Sequence, residues 1–121
     1  MSRIVHFDIE SNNPEKTADF YSKVFGWKFE KWGGPMEYWM ISTGPKDKPG
    51  INGGLSKGEP LGKVVNTIDV DSLDEMIKKI EANGGKITRP KGPITGIGWY
   101  AAFQGPDGNS FGLMQEDPNA K

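Results

Sequence analysis

Residues 3–27 read RIVHFDIESNNPEKTADFYSKVFGW, and this stretch decides how the rest of the chain is read. Its first half alternates: Val5, Phe7 and Ile9 make one face of a strand, and Ile4, His6 and Asp8 the other. Asn12-Asn13-Pro14-Glu15 then supplies a helix start, with asparagine to cap, proline for the first turn and an acid near the positive end. Thr17, Phe20, Tyr21, Val24 and Phe25 recur at helical spacing, predicting an apolar helix face. Gly26 is the expected stop.

The same order returns about 59 residues later. KVVNTIDV (63–70) reads as a strand. Ser72 and Glu75 form a capping box, and Leu73, Met76, Ile77 and Ile80 fall at i, i+3, i+4 and i+7. Asn83-Gly84-Gly85 ends the helix. In the first copy, WKFEKW, EYWMIST and INGGLS follow as strands. In the second, KITRP, WYAAFQ and NSFGLMQ follow, with GPDG as the last turn. RPKGPITGIGWY, with Arg89 and Lys91 at its start, is expected to contain a glycine- and proline-rich loop that could act as a lid. The chain thus reads as strand, helix, three strands, twice over, and a repeat of this kind is more informative than any one motif. Module one covers about residues 3–55, a connector 56–62, module two about 63–115 and a tail 116–121.

Composition bounds the function. The chain has 121 residues, one domain's worth, enough to bury roughly 65% of its unfolded surface. Fifteen basic and sixteen acidic side chains leave a formal charge of −1, with no basic run to suggest nucleic acid or an anionic membrane as a partner. Cysteine is absent, which removes disulfides, thiolate metal sites and a cysteine nucleophile. No apolar run approaches a membrane span, and MSRIVHFDIE lacks the apolar core of a secretory signal, so a cytoplasmic protein is expected. GINGGLSKG lacks the order of a phosphate loop, and no serine sits in a nucleophile elbow.

The stretch VHFDIESNNPEKTADFYSKVFGW and the late GPDGNSFGLMQ together resemble the vicinal-oxygen-chelate superfamily, which includes glyoxalase I, bleomycin-resistance proteins and extradiol dioxygenases. The resemblance covers about residues 3–115. It implies an α+β fold in which two βαβββ modules form a curved mixed sheet around a cavity, with the helices outside. It also implies a homodimer. In metal-dependent members the ligands come from the first and last strands of each module. His6 matches the first such position. Gly54, in NGGL, and Gly112, in SFGL, stand at the two module ends and offer no side chain. The counterpart of His6 in module two is Val65 if the helix starts are aligned, or Asn66 if VVN is matched to IVH. One residue of shift flips every side chain of a strand, so the two choices differ in substance.

His6 is the only histidine, and one imidazole does not make a divalent metal site. No cofactor is therefore expected. A divalent metal remains the alternative, and would need a site rebuilt around His6 from Asp8, Glu10 or other acids. His6, Asp8 and Glu10 share one face of the first strand and are the candidate catalytic groups, as acid–base partners or as a carboxylate that orients the imidazole. The opposite reading is that His6 is a strand histidine satisfied by one hydrogen bond and the acids are ordinary polar residues of a half-buried sheet. The aromatic load, Trp27, Trp32, Tyr38, Trp39, Trp99, Tyr100 and Phe103, is core by default. A cavity would be walled by some of it, and His6, Tyr38, Trp39, Trp99 and Phe103 are the candidate ligand contacts. Tyr38 and Trp39 lie on opposite faces of one strand, so alternation leaves open which set turns inward.

Three function classes follow. The first is a metal-independent binder of a small hydrophobic or aromatic molecule. The second is a lyase, isomerase or dioxygenase with a rebuilt site around His6. The third is an interaction module whose cavity is vestigial.

Overall fold

A computed structural model describes residues 2–58 and 64–121. Local chemistry places both helices. Asn13 caps α1 (Pro14–Phe25), its side chain accepting from the Lys16 amide at 3.3 Å, with Pro14 as the first helical residue. Gly26, at φ +75°, closes the helix in the left-handed conformation and returns its amide to the Ser22 carbonyl. Ser72 caps α2 (Leu73–Ala82) by accepting from the Glu75 amide at 3.3 Å. The amide of Leu73, an orphan of the first turn, donates to Gln115 Oε1 at 2.8 Å.

The strands are β1 (Ile4–Ser11), β2 (Lys28–Lys31), β3 (Tyr38–Ser42), β4 (Asn52–Lys57), β5 (Val65–Asp69), β6 (Lys86–Ile94), β7 (Gly98–Gln104) and β8 (Ser110–Glu116). The architecture is α+β, with mixed strand pairing and two βαβββ modules, as the repeat predicts. The chain divides into two compact units, residues 6–65 and residues 66–121 together with those before His6. β4 runs two residues past the expected end of module one, and residues 59–62 of the connector lie outside the described residues.

Module one has the strand order β2-β3-β4-β1, in which only β1 and β4 are parallel. Module two repeats it as β6-β7-β8-β5, with β5 and β8 parallel. The parallel registers fix the equivalence of the two copies. Asp8 lies opposite Gly54 and Thr67 opposite Gly112, so Thr67 is the counterpart of Asp8 and Val65 that of His6.

In each module the helix covers one face. Under α1 the buried cluster is Phe7, Ile41 and Leu55, with Ala18, Trp27, Phe29 and Trp39 packed around it. Under α2 it is Val70, Leu73, Ala101 and Leu113, joined by Ile68, Met76, Ile77, Ile80, Trp99 and Phe103. Leu55, Leu73 and Leu113 are almost wholly buried, each contributing about 2 kcal/mol of transfer free energy. The stripe expected on α1 is only partly an inward face: Phe20, Val24 and Phe25 are more than half exposed. Ala18 and Tyr21 are among the residues that turn inward, Tyr21 stacking on Trp27 at 5.2 Å.

One further expectation is corrected. The segment expected to be a loop after a short KITRP strand is mostly strand, since β6 runs to Ile94 and pairs with β7 through two register shifts. β6 is an edge strand, where Pro90 and Pro93 need no amide for a further neighbour. The residues after β8 pack against the fold. Ala120 is 1% exposed, its carbonyl accepts from Gly96 N–H, and Asp117 receives the Trp99 indole N–H at 3.0 Å.

Candidate functional site

Cross-strand pairs share a face, so the registers sort every side chain of module one. One helix-covered row runs Phe29, Ile41, Gly53, Phe7. The helix-free face carries the row Glu30, Met40, Gly54, Asp8, flanked by Ser42, Asn52 and His6 on one side and by Tyr38, Ser56 and Glu10 on the other. Alternation along β1 therefore puts His6, Asp8 and Glu10 on one face, as the sequence predicts.

Three of these groups are joined by hydrogen bonds. The Tyr38 hydroxyl donates to Asp8 Oδ1 at 2.9 Å, and His6 Nε2 lies 3.0 Å from the same hydroxyl oxygen. With the Tyr38 proton committed to Asp8, the imidazole is the donor to the phenol oxygen, which sets the tautomer at Nε2–H. His6 Nε2 is also 3.4 Å from Asp8 Oδ1, and the His6 and Asp8 side chains are 35% and 29% exposed. His6 is thus satisfied by neighbours on one edge of its ring while the site stays open to solvent. Glu10 is exposed near the strand end and belongs to a different feature, a cleft of about 470 Å³ shared with Ile9, Phe20 and Tyr21.

Tyr38 reaches His6 and Asp8 because position 54 is glycine. A Cβ there would overlap the Tyr38 hydroxyl and its ring carbon. Tyr38 stands diagonally from Gly54, on the strand position two before Met40, the direct partner of Gly54. Module two repeats the device. Tyr100 stands two positions before Ala102, the partner of Gly112, and a Cβ on Gly112 would overlap the Tyr100 hydroxyl. This pairing of a glycine with a diagonal tyrosine is the feature that sequence reading missed. Its signal was present in the parallel spacing of YWMIS…NGGL and YAAFQ…SFGL.

The same geometry tests whether the residues fit the divalent centre that the resemblance implies. Gly54 and Gly112 supply no donor, Val65 stands where a second imidazole would be needed, and the phenols fill the ground over both glycines. Among the described residues no three His, Cys, Asp or Glu side chains come together to hold a metal ion. The donor set does not fit such a centre.

Of the other candidate ligand contacts, Trp39, Trp99 and Phe103 lie on the helix-covered faces. Trp39 packs on the Phe7, Ile41 and Leu55 cluster, and Trp99 and Phe103 on the cluster under α2. Phe103 also stacks on Phe111 at 5.9 Å. The structure thus brings His6, Asp8 and Tyr38 together and leaves these three aromatics partly buried against the cores. The apolar flank of the cluster is formed by Trp32, edge-on to Tyr38 at 6.1 Å, and by exposed Met40.

Comparison with known proteins agrees with the fold. The chain is 32% identical to a lactoylglutathione lyase of Escherichia coli O157:H7 over 126 residues, covering 94% of this chain and 93% of that protein. It is 32% identical to a lactoylglutathione lyase of Arabidopsis thaliana, covering 96% of this chain and 45% of that one. Among solved structures, methylmalonyl-CoA epimerase from Mycobacterium tuberculosis superposes with a TM-score of 0.69 at 13% identity, over 95% of this chain and 88% of that one. Residues 3–113 match the family described as the Glyoxalase/Bleomycin resistance protein/Dioxygenase superfamily, and the chain belongs to it.

Proposed function

We propose that this chain binds a small organic molecule without a metal, on the helix-free face of module one, with His6, Asp8 and Tyr38 as its polar anchor. The observation that carries the reading is the Tyr38 hydroxyl lying over Gly54 and tied to both His6 and Asp8. A site that has filled one ligand position with a phenol is arranged to hydrogen-bond an organic group. With Nε2 donating inward, a neutral His6 keeps Nδ1 as an acceptor, and Asp8 keeps its second oxygen. The anchor therefore suits a hydroxyl or amide donor on the ligand, while Met40 and Trp32 suit an apolar or aromatic body. A thermal-shift screen of hydrophobic alcohols and amides tests this. Ligands should raise the melting temperature by mass action, and His6→Ala and Tyr38→Phe should each reduce the effect. Stabilisation that all such variants retain would contradict the assignment.

A second reading, lyase activity, is supported by the 32% identity to proteins named lactoylglutathione lyase across nearly the whole chain. Its test is a lactoylglutathione lyase assay across a panel of divalent ions. Turnover that needs an ion and falls on His6→Ala would replace the binder reading with an enzyme whose metal site includes His6 and draws its other ligands from positions other than Gly54, Val65 and Gly112. No turnover with any ion would leave the binder reading in place.

A further inference from the structure

The row equivalent to Glu30, Met40, Gly54 and Asp8 in module two is Arg89, Ala102, Gly112 and Thr67. The two acids of the first row are replaced by a cation and a hydroxyl. Two independent features of the second row point to a ligand. The Arg89 guanidinium lies 5.2 Å from the centre of the Tyr100 ring and has no carboxylate partner among the described residues. A guanidinium beside a ring and without a carboxylate partner has donors to offer a planar anion. The Thr67 hydroxyl, at the other end of the row, is buried with the residue 3% exposed and has no hydrogen-bond partner. Buried polar groups are ordinarily paired, and one that is not invites a partner the free protein lacks.

Two other cations sit over aromatic rings among the described residues, but on the helix-covered faces. Lys31 lies over Trp39, and Lys91 lies over Trp99 while also pairing with Asp74 at 3.2 Å. Arg89 is the cation that module two turns to its helix-free face on an aromatic support. Tyr100 leans over Gly112, the neighbour of Thr67 in the parallel register, so its hydroxyl end covers the inner part of the row.

We infer that the helix-free face of module two is a carboxylate site, with Arg89 holding the anion and the Thr67 hydroxyl meeting the ligand once Tyr100 turns aside. One cation suits a singly charged carboxylate better than a phosphate dianion. The inference does not depend on the reading given to the His6 cluster.

The test is a titration of the full chain with sodium benzoate, and in parallel with inorganic phosphate, followed by amide and arginine side-chain NMR. Benzoate should give saturable shifts at Arg89 Nε–H and the Gly112 amide, at lower concentration than phosphate. Arg89→Gln should abolish the saturable shifts, and Arg89→Lys should weaken them, both on an exposed edge-strand residue outside the core. Thr67→Val should weaken benzoate binding several-fold while raising the melting temperature of the free protein. Shifts scattered over surface lysines, shifts that persist in Arg89→Gln, phosphate binding as tightly as benzoate, or Thr67→Val leaving benzoate affinity unchanged would each overturn the assignment.

Discussion

Tyr38 occupies with its hydroxyl the space that a side chain on Gly54 would fill, and from there it bonds to both His6 and Asp8. Tyr100 stands in the same relation to Gly112. Each glycine is thus kept small by a tyrosine from the neighbouring strand, a diagonal contact that sheets use to cover exposed backbone at glycine.

Gly54→Ala should push Tyr38 away and break its bonds to His6 and Asp8. The expected loss is about 1–3 kcal/mol of stability, the range for overpacking a close contact. Denaturant unfolding of Gly54→Ala, Tyr38→Ala and the double variant measures this. The double variant should be more stable than the sum of the single losses allows, because removing the ring removes the overlap.

Tyr38→Phe keeps the ring over Gly54 and deletes the hydroxyl. The loss should be about 0.5–1.5 kcal/mol per hydrogen bond removed, with the His6–Asp8 approach retained. Equilibrium unfolding gives the energy, and NMR of the His6 ring reports the change in its Nε2–H partner.

Thr67→Val replaces a buried unpaired hydroxyl by a methyl of similar size. It should stabilise the free protein by up to about 1 kcal/mol, since no bond is lost and a desolvated polar group is removed. A fall in stability would mean that the hydroxyl has a partner in solution.

Asp117 accepts from the Asn119 amide at 2.9 Å and from the Trp99 indole at 3.0 Å, and these bonds, the backbone one first, hold its carboxyl below the usual value. A carboxyl with a lowered folded pKa stabilises the fold above its ordinary range near pH 4, and that contribution is lost as pH falls through the lower folded value. Asp117→Asn should therefore be less stable than the parent at neutral pH, with the difference closing below pH 4. A difference that stays constant with pH would contradict the linkage.

The sequence made the modules legible because local signals agreed: alternation in β1, the Asn13 and Ser72 caps, and Gly26 at the helix end. The pairing of His6 with Val65 was legible only through helix alignment, and the parallel register of Thr67 with Gly112 settles it. What stayed hidden depends on tertiary packing. Alternation separates Tyr38 from Trp39 and Trp99 from Tyr100, but which set is buried is decided by the side on which α1 and α2 pack. Pro90 and Pro93 argue against a strand only where both edges must be paired, and β6 is an edge. The exposure of Phe20, Val24 and Phe25 shows the same limit, since helical spacing marks an apolar stripe without stating how much of it is covered.

Metal analysis of the untagged protein purified without chelator, with a thermal-shift series over divalent ions, tests most directly whether the module-one site works without a metal. The expected result is far less than one ion per chain and no ion that raises the melting temperature of the parent more than that of His6→Ala. Near-stoichiometric metal that disappears on His6→Ala would contradict it, and would require donors other than Gly54, Val65 and Gly112.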